Sequence, residues 1–222
     1  MKIMLYLVFK RLHNIMSNAP AQLCAPLVFG VMFLAILPLA LGSDINILVS
    51  NEVSVAILFL CMSIIVMHMA QSLIKNDFDC GWLDYVLVHN KLLPYVFCYS
   101  LVLSGLLTMT VGLLLPIVMT LYAIQASMLA LLGAISLAVI SLTFIAVAFS
   151  LMLTPLMQAS VVILLLLAFP SFLPIIVMGV RLCSAMLTGI NVLPHYAVLL
   201  ALMLIFIMIM PVASAFVYKH NS

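Results

Sequence analysis

The sequence predicts an all-α membrane protein, and its hydropathy, its charge and its length are the three observations behind this prediction. Hydrophobic residues make up 68% of the 222-residue chain, and only 5% of the residues are charged. Soluble domains carry about 25% charged residues, so this composition indicates a polytopic membrane protein. No charged residue stands in the middle of a long apolar run. We therefore expect one transmembrane domain over residues 1–222.

Six apolar runs are long enough to cross a membrane. A hydrocarbon core about 30 Å thick needs about 20 residues of helix, and helices satisfy their own backbone groups in lipid. The runs use almost the whole chain and leave no room for a soluble domain. They cover residues 23–42, 53–74, 95–117, 128–152, 160–180 and 197–218.

The basic residues predict the orientation of these spans. Six of the seven Lys and Arg residues lie on one side of the six-span arrangement, and only Arg181 lies on the other. Lys and Arg concentrate in cytoplasmic loops, so we expect both termini in the cytoplasm. The net charge of +2 is too small to argue for a nucleic-acid partner. The basic residues on the expected cytoplasmic side are Lys2, Lys10, Arg11, Lys75, Lys91 and Lys219.

The first 17 residues follow helical spacing. Lys2, Lys10 and His13 share one face, and Ile3 and Leu7 lie on the opposite face. This pattern predicts an amphipathic helix along the cytoplasmic membrane surface. Two interpretations stay open, a simple membrane anchor and an elbow helix that touches a cytoplasmic partner.

The fifth run contains Pro170 and Pro174, one helical turn apart. Proline removes a backbone hydrogen bond, so the pair predicts a bend or a partial break. Irregular backbone at membrane depth needs cover from protein or water, and we therefore expect this segment to face the bundle interior. An external stretch from Arg181 to Tyr196 is expected to follow.

The richest polar segment lies between the second and third runs. It holds three of the five acidic residues, Asp77, Asp79 and Asp84, together with the only tryptophan, Trp82. One interpretation is a solvated loop with an aromatic interface anchor. The other is a short amphipathic helix, because Trp82, Leu83, Val86 and Leu87 follow helical spacing, and such a helix suits docking into a groove of another protein.

This segment also carries a family resemblance. The pattern Asp-x-x-x-Gly-x-Leu-Asp over 77–84, with Pro94 further on, resembles the signature of ABC permeases of the drug- and polysaccharide-exporter type. Within that group the chain is similar, end to end, to the haem exporter protein B (CcmB) family. Trp82 departs from the wider group, which more often has a small hydroxyl residue before the leucine. The other supporting motifs are Ala25-Pro26-Leu27, the Leu37–Gly42 segment, Leu153-Thr154-Pro155 and the Pro170/Pro174 pair.

The resemblance implies a six-span permease of the ABC-2 exporter type in the bacterial inner membrane, which serves haem export or delivery in c-type cytochrome biogenesis. It implies a CcmA-like ATPase subunit, CcmC-like and CcmD-like membrane proteins, a CcmE-like periplasmic haem chaperone and two copies of this chain. Closure of the ATPase pair would push a coupling helix and tilt spans one, two and five. The residues that it assigns to the coupling helix are Asp77, Asp79, Gly81, Trp82, Leu83 and Asp84.

The sequence agrees with a non-catalytic subunit. It contains no Gly-x-x-x-x-Gly-Lys-[Ser/Thr] phosphate loop, so ATP hydrolysis is expected in a partner. We assign no catalytic, metal-binding or cofactor-binding residue, and haem is at most a cargo of the complex. His68 is expected to pack inside the bundle and His195 to lie at the external interface.

Three alternatives stay open. The same machinery could move another apolar or lipid cargo, or the chain could act as a scaffold for a haem-handling partner. A secondary transporter or channel is more distant, because it predicts a polar residue at the membrane midplane. Gln71, Gln125 and Gln158 instead lie near the ends of the runs.

Overall fold

The chain is helical wherever the computed structural model describes it, which is at residues 8, 10, 28, 30–32, 36, 51–121, 127–154 and 161–221, apart from turns and short connections. No strand occurs in these ranges, and the all-α prediction is confirmed. The helices whose bounds the structure describes are α1 (Asn51–Asp79), α2 (Trp82–Val88), α3 (Leu92–Leu121), α4 (Met128–Leu153), α5 (Val161–Thr188) and α6 (Leu193–Asn221).

Five of these helices are long and apolar enough to cross a membrane, namely α1, α3, α4, α5 and α6. They correspond to predicted spans two to six. The run at 23–42 lies outside the described residues except at Val28, Gly30, Val31, Met32 and Ile36, which are helical. The six-span arrangement therefore stays a prediction, and so does the amphipathic N-terminal helix, of which only Val8 and Lys10 are described.

Helix α4 is the centre of the bundle. It packs against α1, α3, α5 and α6, and every residue from Ser141 to Ala148 is buried. A helix surrounded on all sides needs an apolar surface all round, which this sequence supplies. The hydroxyl of Thr143 donates to the carbonyl of Val139 at 2.6 Å, so a polar group of the core finds its partner within its own helix.

The connections define two ends of the bundle. Helix α2 joins α1 to α3, and we call this side the α2 end. At the opposite side, the far end, α4 and α6 begin together, because the Tyr196 hydroxyl donates to the carbonyl of Ala130 at 3.0 Å. Helix α6 then runs back, which brings Tyr218 close enough to Asp84 for an electrostatic interaction.

Helix α5 extends beyond the predicted fifth span, 160–180. It continues without interruption through both prolines and past Arg181 to Thr188, and the external position of the stretch from Arg181 to Tyr196 stays a prediction. The helix ends where Gly189 takes a φ of +70° and the Ile190 N–H donates to the carbonyl of Ala185 at 3.0 Å. A single exposed cation near a helix end does not interrupt the backbone ladder, because its long side chain can reach the membrane surface.

The proline pair was also expected to face the bundle interior. Pro170 is exposed on this chain and Pro174 is partly exposed, while Phe172 between them is fully buried. The helical period places position 172 on the inward face and turns position 170 outward. Pro170 therefore contradicts the expected orientation within this chain, and a bend at the two prolines stays a prediction.

Candidate functional site

The candidate site is the turn between α1 and α3, and it begins with a glycine in a conformation that other residues rarely adopt. Gly81 has a φ of +69° and lies between the end of α1 and the start of α2. Its N–H donates to the carbonyl of Phe78 at 2.9 Å, which closes the last turn of α1. A Cβ at this position would meet no atom within 4 Å. Glycine is therefore required for its backbone angle and not for space.

Helix α2 has only seven residues and is defined at both ends by backbone hydrogen bonds. Asn90 ends it with a φ of +52°, and the N–H groups of Asn90 and Lys91 donate to the carbonyls of Leu87 and Val86 at 2.9 and 3.0 Å. Such a short helix is not stable alone in water. Its stability must come from packing, and its inner side supplies this packing.

The inner side of α2 consists of Leu83 and Val86, which are 0% and 1% exposed and belong to the main hydrophobic core. Full burial of one such aliphatic side chain stabilises a fold by about 1.5–3 kcal/mol. These two residues therefore fix α2 onto the ends of α1 and α3, with which it is in contact.

The outer face of α2, formed by Trp82, Asp84, Tyr85, Val88 and His89, is aromatic and acidic. The rings of Trp82 and Tyr85 stack with centroids 5.3 Å apart, and those of Tyr85 and His89 lie 4.2 Å apart. Tyr85 and Val88 are 54% and 77% exposed. Aromatic side chains on a rigid exposed helix are the kind of group that anchors a protein interface.

Asp77 lies elsewhere than the sequence predicts. Helix α1 continues to Asp79, so Asp77 stays on the inward face of its last turns and is 0% exposed. There the hydroxyl of Tyr95, in the first turn of α3, donates a hydrogen bond to Asp77 Oδ2. Asp77 therefore does not present its carboxylate to a partner in this structure, and its expected surface contact is corrected to an internal one.

The other residues assigned to the coupling helix are brought together around α2. Asp79 is exposed at the last position of α1, Asp84 is exposed in the first turn of α2, and Trp82 is partly buried beside them. Leu83 points inward and acts as an anchor. The sequence analysis did not assign a role to Tyr95. The two residues belong to different helices, and only the packing of these helices brings Tyr95 next to Asp77.

Tyr85, Val88 and His89 were also not assigned to the site. The spacing of Trp82, Tyr85 and His89, at i, i+3 and i+7, was the signal for one shared helical face.

The described ranges contain no group of three His, Cys, Asp or Glu side chains that could hold a metal ion. His195 is half-buried at the far end, at the start of α6. His68 is exposed on α1 and is not packed inside this chain, which corrects the expectation for that residue. The described residues around α2 form an exposed aromatic and acidic surface.

Comparison with known families assigns the chain. A family model described as CcmB protein matches residues 3–221. The chain belongs to the CcmB family. The resemblance in the Asp77–Asp84 pattern is thereby confirmed as a family relationship that covers nearly the full length. No curated protein matches the chain.

Membership of the CcmB family gives the general role. This is a membrane component of haem transport, of the ABC permease class, and it serves cytochrome c biogenesis. Its role is in transport and not in enzymatic conversion, and it works with other proteins of the Ccm system. The apolar helices agree with a location in a membrane.

Proposed function

We propose that this CcmB chain is the transmembrane subunit of an ATP-driven complex and that α2 is its coupling helix. A separate CcmA-like ATPase subunit binds the outer face of α2 and moves it when ATP is hydrolysed. The movement tilts the attached spans and supports delivery of haem to a CcmE-like chaperone, with CcmC-like and CcmD-like proteins in the same complex. Two copies of the chain take part.

The observation that carries this proposal is the two-sided character of α2. Its inner side, Leu83 and Val86, is buried in the bundle, while Tyr85 and Val88 on its outer face are exposed. A helix with this arrangement is fixed to the moving part on one side and open to a partner on the other. The exposed carboxylates of Asp79 and Asp84 suit a basic groove on the ATPase subunit.

The energy source follows from the chemistry that the chain contains. Its sequence has no phosphate-binding loop of the Gly-x-x-x-x-Gly-Lys-[Ser/Thr] type. Within the five candidate spans, the acidic residues are Asp77 and Asp79, both in the last turns of α1. A carboxylate that binds and releases ions at the midplane is the usual means of ion coupling. ATP hydrolysis in a partner fits this distribution better.

The charges also support the proposed orientation. Lys75, Lys91 and Lys219 lie at the α2 end, and Arg181 lies in the last turns of α5 near the far end. An excess of Lys at one end of a bundle favours a cytoplasmic location for that end. ATP is present in the cytoplasm, so an ATPase subunit would bind the chain on that side. We therefore propose the bacterial inner membrane, with the α2 end and both termini in the cytoplasm.

A pair of glycines provides the test. Gly81 and Gly189 have φ values of +69° and +70°, and a Cβ on either residue would meet no atom within 4 Å. Alanine at either position therefore introduces the same backbone strain, about 1–2 kcal/mol, and no steric clash. Only Gly81 lies beside α2; Gly189 lies at the far end.

Each variant is produced with the ATPase subunit, and the co-purified ATPase is measured together with the yield of c-type cytochrome. We expect Gly81→Ala to lower the affinity of the two subunits by about fivefold or more, since 1.4 kcal/mol corresponds to tenfold. Gly189→Ala should match the wild type in both measurements. Equal effects of the two variants, or none from Gly81→Ala, would mean that α2 is not the docking helix.

A further inference from the structure

The hydrogen bond between Asp77 and Tyr95 joins the two spans on either side of α2. The residues are 18 positions apart, and the segment between them contains the whole of α2 and both of its turns. Both side chains are 0% exposed. The bond therefore connects the last turns of α1 directly to the first turn of α3, underneath the short helix.

The surroundings of this bond are packed and aromatic. The ring of Tyr99, one turn further into α3, lies 5.4 Å from that of Tyr95. Leu83, on the inner side of α2, belongs to the same buried core as Tyr95. A hydrogen bond to a carboxylate in such a setting is stronger than one in water, and the loss of either partner leaves a buried polar group.

We infer that Asp77 and Tyr95 are positioning residues that make α1, α2 and α3 move as one unit at the α2 end. We call this bond the Asp77–Tyr95 clamp. The turns on both sides of α2 contain residues with positive φ, Gly81 and Asn90. Without the clamp, a force on α2 can be absorbed by rotation at these turns. With the clamp, the same force must displace both spans.

This inference rests on the proposed function, because it assumes that a partner pushes α2. It concerns what happens after docking, so docking and transmission can be measured separately. The clamp contributes no contact to the partner, since both of its side chains are buried.

The experiment uses the complete membrane complex with Tyr95→Phe. Three quantities are measured: co-purification of the ATPase subunit, ATP hydrolysis by the complex, and c-type cytochrome matured per ATP consumed. We expect association within twofold of the wild type, retained ATP hydrolysis, and about a tenfold fall in cytochrome per ATP. Tyr196→Phe is the matched control, because it removes a tyrosine hydroxyl that also joins two helices but lies at the far end, away from the docking face, so cytochrome per ATP should match the wild type.

A conservative variant separates the clamp from a role of the negative charge. In Asp77→Asn the amide oxygen still accepts a hydrogen bond from Tyr95, so most of the coupling should remain. Asp77→Leu removes the acceptor and should behave like Tyr95→Phe. If Tyr95→Phe fails to accumulate in the membrane, Asp77→Leu supplies the same measurement, and an unchanged yield of cytochrome per ATP in Asp77→Leu would refute the clamp.

The outcomes differ for the two proposals. If α2 docking depends on Gly81 but cytochrome per ATP is unchanged in Tyr95→Phe, the clamp is refuted and the coupling helix stands. If Asp77→Asn abolishes coupling while Tyr95→Phe preserves it, the carboxylate charge is the functional feature, and the clamp is again refuted. If the ATPase subunit does not bind this chain through α2, the proposed function itself fails.

Discussion

The contact between Gly179 of α5 and Phe59 of α1 allows a sharp test of how this bundle is held together. A Cβ added at Gly179 would lie 2.6, 2.7 and 3.2 Å from three carbon atoms of the Phe59 ring. Phe59 is 1% exposed, so its ring has no free space into which to retreat. We therefore expect Gly179→Ala to push α1 and α5 apart.

The size of the effect follows from two opposing terms. Extra volume in a packed core costs about 1–3 kcal/mol. Replacement of a helical glycine by alanine recovers about 1 kcal/mol of helix propensity. The two terms leave a net destabilisation of about 1 kcal/mol, within a range of about 0–2 kcal/mol. Gly105 in α3 is the matched control, because a Cβ there would meet no atom within 4 Å and only the favourable term applies.

Thermal unfolding of the purified chain in detergent measures this difference. Cys61, Cys98 and Cys183 are free and buried, so a thiol-reactive fluorophore reports their exposure as the bundle opens. At about 2–4 °C per kcal/mol for a chain of this size, Gly179→Ala should lower the Tm by about 2–4 °C. Gly105→Ala should leave the Tm unchanged or raise it slightly.

A second substitution tests the cause. Phe59→Leu removes the ring that the new methyl group meets, so it should cost less in the Gly179→Ala background than in the wild type. The quantity to compare is the Tm change of the double variant against the sum of the Tm changes of the two single variants. Equal Tm values for Gly179→Ala and Gly105→Ala, or strict additivity with Phe59→Leu, would refute the packing argument.

Two further predictions concern the far end and the orientation of the chain. Tyr196→Phe removes the hydrogen bond to the carbonyl of Ala130 and should destabilise the chain by about 1 kcal/mol, seen as a Tm about 2–4 °C lower in the same assay. Cys80 is exposed at the α2 end, so in a Cys24→Ser background a membrane-impermeant thiol reagent should label it in inverted vesicles but not in intact spheroplasts.

Each of these has a clear contrary result. An unchanged Tm for Tyr196→Phe, with Tyr85→Phe as the exposed control, would mean that the bond does not stabilise the far end. Labelling of Cys80 in intact spheroplasts, with Cys80→Ser as the unlabelled control, would place α2 on the outside and overturn the proposed orientation.

The span positions show how far local sequence can lead. The run predicted at 128–152 is the helix Met128–Leu153 in the structure, because insertion of a helix depends on the summed hydropathy of its own residues. The fifth run was predicted to end at 180, whereas its helix continues to Thr188. The helix ends where Gly189 takes a positive φ, a feature of backbone conformation that hydropathy does not report.

The candidate site was predicted in part. The Asp77–Asp84 pattern located the segment and its family, and helical spacing predicted a helix there. The sequence could not say which acid faces a partner, since Asp77 and Asp79 are two residues apart and lie on different sides of α1. Asp77 differs from Asp79 in that it accepts a hydrogen bond from Tyr95. The position of Tyr95 beneath α2 depends on the two turns between the helices.

The sequence by itself determined the membrane environment, the helical class, the family and the place of the polar segment. The first two and the last of these follow from composition and short-range periodicity, which sum over neighbouring residues, while the family follows from the resemblance of the chain to the CcmB family model. The tertiary structure alone decided that α2 has a buried inner side and an exposed outer face, that Asp77 is held by Tyr95, and that Gly179 admits the Phe59 ring. These features depend on which side chains of different helices are in contact, and helix packing determines these contacts.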